Sequence, residues 1–130
     1  MFVDQLEVEE IKALMLLLVD IAKADSELDE AETDFLSAYA AENQVELDLE
    51  KEISLVDACK LFTTRKGKIV ALQEIVKLAI VNGHYDQAER QGVAAIAEML
   101  SIESKKVEEV EEWVVAGQQW VSQGYQIIND

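Results

Sequence analysis

Two stretches of this chain crowd oxygen-bearing side chains into the approach to a helix: "ADSELDEAE", residues 24–32, and "VNGHYDQAE", residues 81–89. Asp25, Asp29 and Glu32 of the first correspond to Asn82, Asp86 and Glu89 of the second, 57 residues further on. Oxygen ligands offered by a turn and the helix after it suit a hard divalent cation such as calcium or magnesium. Helix chemistry explains part of the pattern without a ligand. Asp29 and Asp86 are placed to cap the helices that follow, Glu32 and Glu89 to reach back to them, and all four meet the positive end of a helix dipole. Asp25 and Glu27 precede the cap, and a cation explains them where capping does not. The six aligned residues are therefore candidate metal ligands, with pure capping as the alternative. An EF-hand is excluded. Counted from Asp25, Glu30 stands where that loop needs glycine and Leu36 where it needs the bidentate Glu; counted from Asn82, Gln87 and Val93 fall there.

The elements that must hold these turns read as helices throughout. An apolar face from Leu6 to Ala24 uses Leu6, Ile11, Leu14, Met15, Leu18 and Ile21, and Leu16, Leu17 and Val19 widen it nearly all round, which predicts a central helix. A second helix is expected from Asp29 to Glu42 with Ala31, Phe35, Ala38 and Tyr39 inward. "NQVELDLEKEI" reads as a connection. Ser54 looks like the cap of a third helix running to Phe62. "TTRKGK" reads as a break. A fourth helix follows along Ile69, Leu72, Ile75, Val76 and Ala79, and a fifth from Asp86 to Leu100 along Ala88, Gly92, Ile96 and Met99. The last is expected from Ser104 to Ile128, with Val107, Val110, Val114, Gly117, Val121, Gly124 and Ile128 on one line and Trp113, Trp120 and Ile127 on a parallel line seven apart. Gly117 and Gly124 each cost roughly 1 kcal/mol inside a helix, which predicts either a closely packed neighbour or fraying.

A shift of 57 residues superposes Val19, Ala22, Asp29, Ala31, Glu32, Ala38 and Ala40 on Val76, Ala79, Asp86, Ala88, Glu89, Ala95 and Ala97. That is seven identities in a window of 22 positions, where chance gives about one or two. Two helix–turn–helix units, about residues 6–42 and 68–101, are thus expected, with the turns at Asp25 and Asn82 side by side on one face.

Composition narrows the function classes. The 130 residues suffice for one domain with a substantial core, and with no proline and five glycines they favour helices. Net charge is −16, of which residues 1–60 carry −13 (17 acids, 4 bases). Such a field repels nucleic acid and anionic lipid and attracts cations. The partner class that remains is a protein, basic in charge, alongside weak self-association. The opening "MFVDQLEVEE" is acidic where a signal peptide is cationic, and the longest apolar run, Ala13 to Val19, is too short to span a bilayer. A cytoplasmic protein without direct membrane insertion is expected. The sole cysteine, Cys59, excludes an intramolecular disulfide and a Cys-based zinc site and reads as packing. His84, the only histidine, reads as an exposed turn residue, and Arg65, Lys66 and Lys68 as a solvated basic turn near carboxylates. Neither a P-loop nor a GxGxxG is present. Glu108, Glu109, Glu111 and Glu112 read as a solvated helix face. Nothing marks a substrate pocket, so an enzyme is not expected.

"IAKADSELDEAE" and "LAIVNGHYDQAERQGVAAIAEMLSI", followed by "VEEVEEWV", resemble the tellurite-resistance TerB-like domain, a type that also forms the N-terminal part of a DnaJ-type membrane co-chaperone. The likeness covers about Leu6 to Val115. The family's Asp-Gly is split here, with Ser26 after Asp25 and Asn82 before Gly83. The resemblance implies an all-α, single-domain bundle of about six or seven helices with two pseudosymmetric helix pairs. It implies an acidic cluster that chelates metal, and a role in stress response or membrane-linked complexes rather than catalysis. The function expected on this basis is weak, non-enzymatic binding of a divalent cation; the alternative is an acidic protein-interaction or co-chaperone-type module without metal.

Overall fold

A computed structural model describes residues 2–23, 30–47, 54–80 and 85–130. Among them the chain forms a 3-10 turn, Val3–Gln5, and six α-helices: α1 Val8–Ala22, α2 Glu30–Glu42, α3 Leu55–Lys60, α4 Arg65–Ile80, α5 Gln87–Met99 and α6 Ser104–Asn129. The described residues hold no strand.

Local chemistry starts α1, α3, α4 and α5 where an amide at the helix start finds a side-chain oxygen. The Glu7 amide donates to Glu10 Oε1 (2.9 Å) at α1, the Asp57 amide to Ser54 Oγ (3.4 Å) at α3, and the Glu89 amide to Asp86 Oδ1 (2.8 Å) at α5. At α4 the Gly67 amide donates to Thr64 Oγ1 (3.0 Å), so "TTRKGK" is a helix start rather than a break. A Cβ at Gly67 would stand 2.8 Å from Glu10 Oε2, the far end of a flexible side chain at the start of α1.

α1 is the centre. It packs against α2, α3, α4 and α5, and Leu14, Leu17, Leu18 and Ile21 are fully enclosed. α4 crosses it with Leu72, Ile75 and Leu78, and carries α5 and α6 on its other sides. Each such side chain contributes about 1.5–3 kcal/mol by leaving water. The 3-10 turn, which periodicity does not reveal, lays Val3 and Leu6 in the same core and packs on α4. α3 adds Ala58 and Cys59, and Phe62 follows them inward.

Some helix bounds are 57 residues apart. That offset carries Val8, the start of α1, onto Arg65, the start of α4, and both ends of α2 onto those of α5. The helix ends match as well. After α2, Val45 N bonds Ala40 O (3.0 Å) and Gln44 N bonds Ala41 O (3.3 Å); after α5, Ile102 N bonds Ala97 O (2.8 Å) and Ser101 N bonds Glu98 O (3.0 Å). Both are Schellman caps. Both place a non-glycine residue in the left-handed region, Gln44 at φ 55° and Ser101 at φ 59°.

Tyr39 and Ile96 face inward as expected, and the rest of the buried faces of α2 and α5 is shifted by one position. α2 buries Glu32, Leu36, Tyr39 and Ala40, while Ala31 and Ala38 face solvent and Phe35 is half-buried. α5 buries Glu89, Val93, Ile96 and Ala97, while Met99 is exposed and Ala88 and Gly92 are half-buried. Branched and aromatic side chains outweigh alanines in the area they bury, and they turn a Glu inward with them.

Gln44→Gly and Ser101→Gly are each expected to raise stability by roughly 0.5–1 kcal/mol, because glycine removes the left-handed strain at the cap. The check is a higher urea midpoint at unchanged denaturant dependence.

Candidate functional site

Three of the six candidate ligands lie among the described residues. Asp86 is exposed and caps α5; Glu89, one turn inside that helix, and Glu32, at the matching place in α2, are each 1% exposed. Asp25, Asp29 and Asn82 lie outside the described residues, as do His84 and the side-by-side placement expected for the two turns. Among the described residues, no group of three or more His, Cys, Asp or Glu is placed to hold a metal ion.

Sequence reasoning overlooked a third buried carboxylate. Glu74, in the middle of α4, is fully enclosed. Its Oε2 accepts from Lys77 Nζ at 3.1 Å, and its charge faces the Tyr39 hydroxyl of α2. Burial, then the carboxylates of Glu74 and Glu42, push the Tyr39 phenol far above its ordinary value. The signal was present: Glu74 lies four residues from both Val70 and Leu78, on the buried face of α4. Glu32, Glu74 and Glu89 are all engaged by neighbours within the protein. That engagement offsets the several kcal/mol that a lone buried carboxylate costs.

A second cluster joins α5 to α6. Arg90 lies over the Tyr85 ring with its guanidinium carbon 4.4 Å from the centroid, and its Nε donates to Tyr85 O at 3.2 Å. Its other end stands 3.8 Å from Glu111 Oε2. Burial, then Glu111, push the Tyr85 phenol up. Glu111 is thus a half-buried anchor and not simply part of a solvated face. Arg65, in the first turn of α4, pairs with Glu103 before α6, and the pair raises the guanidinium and lowers the carboxyl. Both side chains are more than half exposed, so the pair orients more than it stabilises. Cys59 is buried, which pushes its thiol up and keeps it protonated and unreactive.

The largest unsatisfied surface lies on α6. Its first turns pack on α4 and α5 through Val110 and Val114. Gln118 Nε2 then donates to Ile80 O, the last carbonyl of α4, at 3.2 Å. Beyond that bond α6 continues as helix to Asn129 with its apolar stripe uncovered: Trp120 is 76% exposed, Ile127 and Ile128 77% each. A Cβ at Gly117 or at Gly124 would meet nothing within 4 Å. Neither a packed neighbour nor fraying accounts for these glycines within the described chain. Where the stripe leaves the bundle it opens on a groove of about 810 Å³, bordered by Phe35, Lys77, Trp113, Gly117 and Trp120. Phe35 stacks on Tyr39 at 5.7 Å, which ties the groove wall to the Glu74 pair beneath. No helix of the described residues is long and apolar enough to cross a membrane.

The pH dependence follows from Tyr39. Its folded pKa is raised, so its contribution is complete below the ordinary phenol value near 10 and is lost as pH rises beyond that toward the folded value. Wild type is expected to lose up to about 1.4 kcal/mol per pH unit above 10 that Tyr39→Phe does not lose. Urea midpoints of both proteins at pH 8 and pH 11 check this; equal losses would show that the phenol is not held neutral by the fold.

Scans against protein-family models, the curated proteins and the solved structures find no match to this chain, so side-chain geometry carries the functional reading.

Proposed function

We propose that this chain is a single-domain, non-enzymatic interaction module of TerB-like kind that docks a protein partner along the outer half of α6. One observation carries the reading: an amphipathic helix that keeps its fold for more than three turns beyond its own bundle while Trp120, Ile127 and Ile128 stand in water. Contiguous apolar surface of that kind marks an interaction site. The opposite side of the same helix is polar, with Gln119, Ser122, Gln123 and Gln126, as a helix seated on a partner requires. The TerB-like part is supported by the 57-residue offset shared by helix bounds, caps and buried positions, which fits two pseudosymmetric helix pairs in one domain. On this reading the role is in stress response, as the resemblance implies.

The test is a photo-cross-linking residue placed at Trp120 or Ile127, compared with one at Gln119 or Gln126, in the native host. Protein adducts are expected from the apolar positions and not from the polar ones. Adducts from neither face would overturn the docking role of α6.

Weak binding of calcium or magnesium is a second reading, favoured by the Asp86 cap beside the enclosed Glu89 and by the equal enclosure of Glu32. These residues would form the described part of a site whose remaining ligands are Asp25, Asp29 and Asn82. For a millimolar site, ten millimolar ion adds about 1.4 kcal/mol. At ionic strength matched with sodium chloride, wild type is expected to melt several degrees higher with the divalent ion, and Asp86→Asn to lose that excess. In chelator, Asp86→Ala costs about 0.5–2 kcal/mol through the cap alone. Equal melting in sodium and calcium would leave the carboxylates with capping only.

A further inference from the structure

We infer that the occupant of the α6 face is a second copy of this chain, paired antiparallel helix to helix; the inference rests on the interaction reading above. On a heptad grid the exposed stripe places small residues at one core position, Gly117 and Gly124, and bulky ones at the other, Trp113 and Trp120. A parallel pair would set glycine against glycine and tryptophan against tryptophan, leaving a hole at one layer and a clash at the next. An antiparallel pair mixes the two positions. Trp120 then meets the second copy's Gly117, and Trp113 meets the second copy's Gly124, with the same contacts repeated by the twofold. Trp120 and Trp113, the latter beside the Phe2 ring, each find a glycine opposite, and a Cβ at either glycine would meet nothing within 4 Å among the described residues. Such a surface is complementary to itself, as an isologous interface must be.

Charge selects the same partner and the same direction. Residues 113–129 contain no Asp, Glu, Lys or Arg, although the chain carries −16. A face without charge has nothing to attract a basic protein and nothing to repel its own kind. The acidic bundle sits at the N-terminal end of α6. In the antiparallel pair the twofold falls between residues 118 and 119, which holds the two Val110 positions roughly 25 Å apart along the helix axis. That is about three Debye lengths at physiological salt, whereas a parallel pair sets the two Val110 positions about 10 Å apart. The tips of the paired helices, at Ile127 and Ile128, then run toward the groove beside Phe35 in the opposite copy.

Sedimentation equilibrium of the purified full chain tests this. The expected result is a concentration-dependent monomer–dimer equilibrium that sodium chloride tightens, since salt screens the residual repulsion. Gly117→Leu fills the hole in open space. It is expected to keep the helical circular dichroism and melting behaviour of the monomer and to weaken the dimer at least about tenfold. Added apolar area would instead strengthen nonspecific association, so a dimer strengthened or unchanged by Gly117→Leu overturns the proposal. Spin labels at Asn129→Cys in a Cys59→Ala background are expected about 30 Å apart in the dimer; about 10 Å would mean a parallel pair and overturn it. A chain that stays monomeric at every concentration overturns the second copy, as does a monomer that binds uncharged phosphatidylcholine vesicles through Trp120. If that monomer still gives cross-links to other proteins from position 120, the interaction reading survives without this one.

Discussion

The enclosure of α1 is the constraint on which the rest of the structure depends. A helix apolar on nearly every side cannot lie at a surface, so other elements must cover it all round. α2, α3, α4 and α5 do so, and α4 is itself enclosed because it serves as the second wall of the core. The close approach of the two helix starts follows from this crossing. Gly67 yields room there to Glu10, the residue whose carboxylate receives the Glu7 amide.

Enclosing α1 and α4 also draws carboxylates inward. Glu32, Glu74 and Glu89 sit on the faces that α2, α4 and α5 turn toward the core. A buried carboxylate is tolerable only when charge, hydrogen bonds or a helix dipole replace water. Glu74 meets this need with Lys77, whose ammonium donates to Oε2 at 3.1 Å. Glu89 lies in the first turn of α5, within the positive end of its dipole. The acidic turns are therefore part of the packing problem before any question of a ligand arises, and a cation bound there would add to an arrangement the helices already stabilise.

α6 breaks the economy of the rest. Its first half is held by Val110, Val114, the Arg90–Glu111 contact and the Gln118 bond to Ile80. Its second half repeats the same stripe with nothing among the described residues packed over Trp120, Ile127 and Ile128. Two glycines inside an exposed helix cost roughly 1 kcal/mol each, and exposed tryptophan and isoleucine forgo further burial. Both costs turn into gains when another helix seats its bulky side chains over the glycines. Residues 113–129 also carry no charge on so acidic a chain.

The sequence by itself determined the helical class, the place of the described α-helices to within a few residues and the central position of α1. These depend on local periodicity, caps and composition, which act within one or two turns. The Ser54 and Asp86 caps and the burial of Cys59 were legible for the same reason. Only the tertiary structure decided which way α2 and α5 face. A one-residue rotation puts Glu32 and Glu89 inside, because a core selects for area and shape and accepts a carboxylate where neighbours and dipole offset its charge. The contact of Arg90 with Glu111 depends on a partner on another helix, which no local pattern records, whereas the buried place of Glu74 and the Thr64 cap inside "TTRKGK" follow from local spacing that the sequence reading passed over. The fate of Gly117 and Gly124 was also tertiary. The stripe was readable as a stripe, but whether it is covered depends on where the bundle ends, and the bundle ends at Gln118.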